Sequence, residues 1–442
     1  MNLWIALLGT LVAELYVLRR LRFDGFIVGL VLASTIVYLN YLSYTSVSER
    51  NYDGSVQLVY IEAIAQHFRL PDVNACGPCG HPPLYYALAA LWSKTVLVGG
   101  WLPFELGLQW LSVLLFFGFV VISLQIFRSF GAEPSTLRLA AALVLFWPSS
   151  IINSVRVHND ALASVLMLAA MHFTSLWDRQ RRSLHFYAAL AASALALLTK
   201  ASGYTVAATL VFFAVLRLRT PDLRREKLRQ CATAVLVLTA AAILAVGLRQ
   251  SAEPRSVCQQ ILGHACDGRY VPVVVDKPSR YVSFDAVDLV RRIDSLPIDP
   301  AHDYFLNRMA KSSLFGVMPL GDEFGTKRHD ALAMLISLLL LVMVAVCALA
   351  VPFLRGVHLR KYRAYVVSTA LMFLFLVAFR IRAPNEFHED FRHIFPALVP
   401  FSLGYATIVE RVARSSKVLR LAGVGVGLMM VLSSVAFFAR LP

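Results

Sequence analysis

The sequence predicts an all-α polytopic membrane protein of about twelve transmembrane helices, and three observations carry that prediction. Of 442 residues, 58% are apolar and 16% charged, where a soluble globular domain carries roughly 25% charged residues. Mean hydropathy is +0.64. Apolar runs of about 17 to 25 residues, long enough to cross a hydrocarbon core, recur along nearly the whole chain.

The predicted spans lie near 2–18, 24–45, 104–127, 137–152, 160–178, 184–199, 201–218, 229–248, 331–354, 363–382, 394–412 and 420–439. The first is the weakest, being short and carrying Glu14; if it only lies on the membrane, the count is eleven. Its positive flank (Arg19, Arg20, Arg22) follows it, so the N-terminus is expected outside, with no signal peptide.

A formal net charge of +15 invites a nucleic-acid partner, and its distribution argues against one. Arg128 and Arg138 share one short loop; Arg179, Arg181 and Arg182 share another. Later clusters run from Arg217 to Arg229, from Arg355 to Arg363 and from Arg411 to Arg420. With Arg19, Arg20 and Arg22, all fall on one face, which is the positive-inside pattern. The two long loops, 46–103 and 249–330, therefore face the periplasm or exterior of an inner-membrane protein.

In the first outer loop, Val56, Tyr60, Ile61, Ile64 and Phe68 recur at helical spacing against Gln57, Glu62, Gln66 and Arg69. That pattern predicts an amphipathic helix in the interface plane. Prolines from Pro71 to Pro83 break the chain, and 84–98 reads as a second short apolar helix. The second outer loop, of mixed charge, is too short for a conventional independent domain. Residues 1–442 thus form a single transmembrane domain with no obvious internal repeat.

Of six cysteines, Cys231 and Cys347 fall in predicted spans and read as packing residues. Cys76, Cys79, Cys258 and Cys266 lie in outer loops, where Cys76–Cys79 and Cys258–Cys266 bridges are expected among three possible pairings. Cys76-Gly77-Pro78-Cys79 matches a thioredoxin-type motif in letters, but it sits in a Pro/Gly-rich loop and not in a βαβ unit.

Polar residues gathered at the outer face are the place for chemistry in such a chain. Asp53 and His81 stand in the first outer loop. Arg156, His158 and Asp160 share the turn between the fourth and fifth spans. Lys200 occupies the hairpin between the sixth and seventh, and Arg392 precedes the eleventh among Arg380, Glu386, His388, Glu389 and Asp390. Cations at headgroup level suit a lipid-linked phosphate, and an acid beside them could accept a proton from an attacking hydroxyl. Plainer roles exist for each. Asp160 would serve as the N-cap of a helix starting at Ala161, Lys200 as a snorkelling lysine, and Arg392 as part of a solvated ion cluster. Asp53 would serve a turn. His172, inside a span, reads as a hydrogen-bonded core histidine. Phosphate-cradling glycine loops, His-Glu-x-x-His and Gly-x-Ser-x-Gly are missing, which argues against ATP hydrolysis and serine nucleophiles.

Four blocks in order resemble the C-type membrane glycosyltransferases, the superfamily of protein O-mannosyltransferases and bacterial polyprenyl-phosphate-sugar transferases. They are Asp53 with the downstream Pro82-Pro83-Leu84-Tyr85-Tyr86, then Trp147-Pro148-Ser149-Ser150 leading to Asn159-Asp160. Leu197-Leu198-Thr199-Lys200 and Phe391-Arg392-His393-Ile394-Phe395-Pro396 follow. The resemblance implies Asp53 as the catalytic acid, Asp160 as the second acid, and Lys200 and Arg392 at the donor phosphate, joined by Arg156. His81 and His158 complete the expected substrate-binding set. Gly54 stands where the mannosyltransferases show a second acid, so no metal or other cofactor is expected. The implied reaction is an inverting sugar transfer from a polyprenyl-phosphate donor to a lipid, glycan or protein acceptor. The competing readings are a flippase for a lipid-linked sugar, which would place charge at the bilayer midplane, and an O-antigen ligase or polymerase, which would lean on Arg and His.

Overall fold

The structure is a computed structural model that describes residues 2–45, 54–73, 75–218, 224–248, 278–291, 304–316, 324, 326–350, 361–382, 390–413 and 416–439. Its helices follow in order: α1 (Asn2–Arg20), α2 (Gly25–Tyr44), α3 (Gly54–His67), α4 (Leu84–Thr95), α5 (Phe104–Ser129), α6 (Pro134–Phe146), α7 (Pro148–Ser154), α8 (Asn159–Gln180) and α9 (Ser183–Leu197). Then come α10 (Tyr204–Leu218), α11 (Arg224–Gly247), α12 (Ala286–Arg291), α13 (Phe305–Phe315), α14 (Lys327–Ala350), α15 (Arg363–Arg382), α16 (Leu398–Ala413) and α17 (Lys417–Phe438).

A helix occupies each of the twelve predicted stretches. Among the described residues eight are long and apolar enough to cross a membrane, and the bent pair α6–α7 makes a ninth. The pair bends by 57° because Pro148 has no N–H to continue the ladder and clashes with the preceding turn. It instead opens α7 at its first position, where that N–H would be unpaired in any case. α1, α9 and α16 have 19, 15 and 16 residues and fall outside that set. Large apolar side chains such as Leu236, Leu421 and Leu432 point outward and are exposed, as a lipid-facing surface requires.

Glu14 shows how the weakest span tolerates an acid. Its carboxylate is buried and meets the Thr35 hydroxyl of α2 at 2.8 and 3.0 Å, so a polar group in an apolar setting has its partner on the neighbouring helix.

Two groups of helices share the core. α8, α9, α10, α11 and α15 pack together, and α6, α14, α16 and α17 form the second group with α2 against α6. The long α5 touches both α8 and α6. The predicted inner loops meet at one end: Arg128 donates to the Leu21 carbonyl at 2.7 Å and Lys361 to that of Phe130 at 3.3 Å. Arg363 pairs there with Asp178. We call this end the basic face.

At the opposite end α3 and α4 pair, with Tyr60 stacked on Tyr86 at 3.8 Å. The predicted polar face of α3 needs correction. Gln57 is buried, accepting from the Tyr86 hydroxyl at 2.7 Å, while Phe68 is 85% exposed. A buried amide with a hydroxyl partner displaces the apolar stripe by about one position. α4 ends at Thr95 instead of 98. Cys76 and Cys79 form the expected disulfide between these helices; Cys258 and Cys266 lie outside the described residues. Cys231 and Cys347 are free, in α11 and α14, and His172 meets the Tyr365 hydroxyl at 3.2 Å.

Candidate functional site

The site forms where four segments distant in sequence meet at the end opposite the basic face. The first is the turn between α7 and α8. Ser112 of α5 donates to the Arg156 carbonyl at 2.6 Å, and Val157 packs among Tyr60, Tyr85 and Tyr86. These contacts hold the turn so that Arg156, His158 and Asp160 project from one short stretch. α8 begins at Asn159 with His158 at the N-cap, so Asp160 sits in the first turn of the helix and is not its cap. A carboxylate there is favoured by the helix dipole.

The second segment is the hairpin between α9 and α10. The Lys200 amide still bonds to the Ala196 carbonyl at 2.9 Å before the chain turns back through Ala201–Gly203. A Cβ on Gly203 would lie 2.6 Å from the Ala196 carbonyl carbon, so the hairpin closes only with glycine. Leu84, which opens α4 after Pro82-Pro83, donates its N–H to the Leu198 carbonyl at 3.2 Å. The double-proline block and the Leu-Leu-Thr-Lys block are thus joined through backbone.

The third segment is the 3-10 stretch Phe391–Ala397 between α15 and α16. Asp390 caps it, accepting the Arg392 N–H at 3.0 Å, and its other oxygen lies 3.0 Å from Arg392 Nε. One buried carboxylate therefore fixes both backbone and side chain of Arg392. The fourth segment, α13, was not legible as a site element. Ser312 accepts the Phe391 N–H at 2.9 Å and the Ser313 carbonyl accepts Trp147 Nε1 at 2.7 Å. α13 is anchored in turn by Lys311 and Asn307, which donate to the buried Asp288 of α12 at 2.8 and 3.1 Å. It therefore buttresses both the α6–α7 break that precedes the Arg156 turn and the stretch that carries Arg392. Ser312→Ala leaves the Phe391 N–H without its partner, a loss worth about 1 kcal/mol. The expected result is a modest fall in melting temperature, measured by thermal denaturation beside the wild type.

Together these segments form a charged cluster. Asp160 pairs with Lys200 Nζ on one oxygen. Its other oxygen lies 2.7 Å from His158 Nδ1 and 3.8 Å from Arg392 Nε. His158 Nδ1 also lies 3.1 Å from the Asp160 amide. As a neutral imidazole His158 accepts the Asp160 N–H at Nδ1 and caps α8, and as an imidazolium it donates from Nδ1 to the carboxylate. A small cleft of about 20 Å³ opens here, walled by Arg156, His158, Asp160 and Arg392 with the rings of Phe116, Phe119 and Phe395.

Among the described residues, charge in the cleft does not cancel. Lys200 faces Asp160 and Arg392 faces Asp390. Arg156, 6% exposed, makes a long 3.4 Å bond to Asn153 and leaves Nε without a partner. Burial lowers its pKa first, and neighbouring Arg392 adds to that, while Asp390 and Asp160 oppose; a guanidinium keeps its charge nonetheless. Burial likewise lowers the pKa of Lys200 against the pull of Asp160. A buried cation with no carboxylate of its own is costly, and an anion entering the cleft removes that cost.

Of the residues expected from sequence, Arg156, His158, Asp160, Lys200 and Arg392 converge. His81 does not wall the cleft; its carbonyl accepts from Tyr60 at 3.3 Å beneath the α3–α4 pair. Asp53 lies outside the described residues, and Gly54 after it is buried at the start of α3. Asp390 was visible in sequence only as a neighbour of Arg392; its signal is the two-residue spacing that lets it cap Arg392. Among the described residues no three His, Cys, Asp or Glu side chains are grouped to hold a metal.

No family model and no curated protein sequence matches the chain. Among solved structures, it is similar to ArnT from Cupriavidus metallidurans bound to undecaprenyl phosphate. The two share 16% identity, with 94% of this chain and 77% of that one covered, at a TM-score of 0.42. The apo state of the same protein gives 16% identity, 94% and 76% coverage, and a TM-score of 0.40. Likenesses of this size assign no residue its role.

Proposed function

We propose that this protein transfers a sugar from a polyprenyl-phosphate donor to an acceptor, with inversion, at the membrane face opposite the basic loops. The positive-inside pattern makes that the outer face. The observation that carries the reading is Arg156, a buried guanidinium whose Nε has no partner among the described residues, in a cleft beside a second arginine.

The donor's phosphate lies between Arg156 and Arg392, which offer paired N–H donors. The acceptor oxygen attacks the anomeric carbon from the opposite side. The bond from that carbon to the phosphate oxygen breaks, and its electron pair stays on the departing polyprenyl phosphate. Charge grows on the phosphate in the transition state, where Arg156 stabilises it. For a hydroxyl acceptor the proton passes to Asp53; a phosphate acceptor needs no base. Asp160, held by Lys200 and His158, orients the reacting groups. No cofactor enters these steps.

The test uses purified protein in liposomes with a polyprenyl-phosphate-linked labelled sugar and an envelope glycolipid acceptor. The expected result is a new labelled glycoside with equimolar polyprenyl phosphate. Labelled donor that crosses the bilayer while no glycoside forms would make the protein a transporter. Asp53→Asn is expected to cut turnover with a hydroxyl acceptor about a hundredfold and leave polyprenyl phosphate binding as in the wild type.

A further inference from the structure

α15 and α16 follow one another in the chain yet pack on different partners, α15 on α8 and α10, α16 on α6 and α17. Between them lies an apolar groove of about 790 Å³, floored by Phe130 and walled by Tyr365, Phe373, Ala397 and Phe401. From Tyr362 to Leu374 the α15 wall runs about 18 Å at 1.5 Å per residue. Half of a hydrocarbon core is about 15 Å. The groove is one leaflet deep, and it starts at the basic face.

Two cations pack against Phe130 and Tyr362, which line its basic-face end. Lys361 Nζ lies 3.3 Å from the Phe130 carbonyl and 5.0 Å from the Tyr362 ring centroid. Arg179 donates to the Ser129 carbonyl at 2.9 Å, and its guanidinium lies 5.0 Å over the Phe130 ring. Phe130 and Tyr362 stack at 4.6 Å between them. Neither cation meets a carboxylate among the described residues, whereas nearby Arg363 is paired with Asp178. The positive-inside tendency accounts for basic loops in general. It does not account for two carboxylate-free cations packed at the basic-face end of an apolar groove.

The geometry points to a bound anionic phospholipid from the leaflet at the basic face, its headgroup phosphate drawn to the Lys361 and Arg179 end of the groove and its acyl chains between α15 and α16. Basic pockets between helices hold such headgroups. The site is separate from the charged cleft and stands whether or not the sugar-transfer reading does. A prenyl chain from the opposite face would fill apolar space but leave these cations unused.

Retention and affinity are measured by native mass spectrometry and by lipid-dependent melting in mixed micelles of phosphatidylglycerol or phosphatidylcholine. Phosphatidylglycerol is expected to be retained and to raise the melting temperature more than phosphatidylcholine. Lys361→Gln with Arg179→Gln is expected to weaken phosphatidylglycerol about 25-fold, each cation contributing about fivefold. Arg138→Gln with Arg420→Gln removes equal charge from the same face, at residues paired with Asp24 and Glu410, and is expected to change little. Gly404 lines the groove and has open space at its Cβ position, so Gly404→Leu fills the groove and is expected to expel the lipid from a folded protein. Equal stabilisation by both lipids, equal losses in the two double variants, retention unchanged in Gly404→Leu, or polyprenyl phosphate as the retained lipid would each overturn the inference.

Discussion

Arg156→Ala is expected to lower kcat/KM about a thousandfold and to weaken polyprenyl phosphate binding, while the protein folds at least as well as the wild type. The two effects go in opposite directions for one reason. Among the described residues Arg156 is a buried cation with no carboxylate of its own, so removing it relieves a desolvation cost. In the proposed complex the same guanidinium is the group that donates to the phosphate. Losing a buried charge-assisted contact costs about 2–5 kcal/mol, and one preorganised donor to a developing oxyanion is worth about 10²–10³ in rate. Arg156→Lys keeps the charge and loses the planar fork, so partial rescue of binding with poor turnover is expected. The measurement is a polyprenyl phosphate titration beside initial rates and thermal melting. A variant that melts much lower and binds normally would make Arg156 a structural residue and remove the main support for the phosphate site.

Hydropathy rendered the helices well because an apolar run of membrane length is a property of one segment. The basic loops were legible for the same reason. The site was legible only in part. Asp160, Lys200 and Arg392 stood out as charges at the ends of apolar runs, but their pairing joins positions up to 232 residues apart. No periodicity encodes which carboxylate neutralises which cation, and so the surplus at Arg156 was invisible. α13 could not be read either. Its contribution is a serine hydroxyl and a serine carbonyl offered to Phe391 and Trp147, and any polar loop helix looks alike in composition. Gln57 misled in the opposite sense. An amide reads as solvent-facing until its partner, Tyr86, is brought to it by the Pro82-Pro83 turn.

Lys200 is expected to govern how activity falls at high pH, and its replacement is the second large effect expected. Burial lowers its pKa and Arg392 adds to that, while Asp160 pulls the other way. When Lys200 loses its proton the site loses one of the three cations that face Asp160 and Asp390 among the described residues, and Asp160 loses its nearest partner. Polyprenyl phosphate binding and turnover are expected to be full below the Lys200 pKa and to fall as pH rises through it. Lys200→Arg is expected to shift that alkaline limb upward, because a guanidinium holds its proton far longer. Lys200→Met leaves a buried carboxylate with only His158 and the more distant Arg392, a loss of about 3–5 kcal/mol, so turnover is expected to fall about a thousandfold and melting to drop. Adding Asp160→Asn to Lys200→Met removes the stranded charge and is expected to restore melting but not turnover. That split separates a group that only neutralises its neighbour from one that the reaction requires. An alkaline limb at the same pH in Lys200→Arg and wild type would assign the titration elsewhere and leave Lys200 a neutralising partner of Asp160 alone.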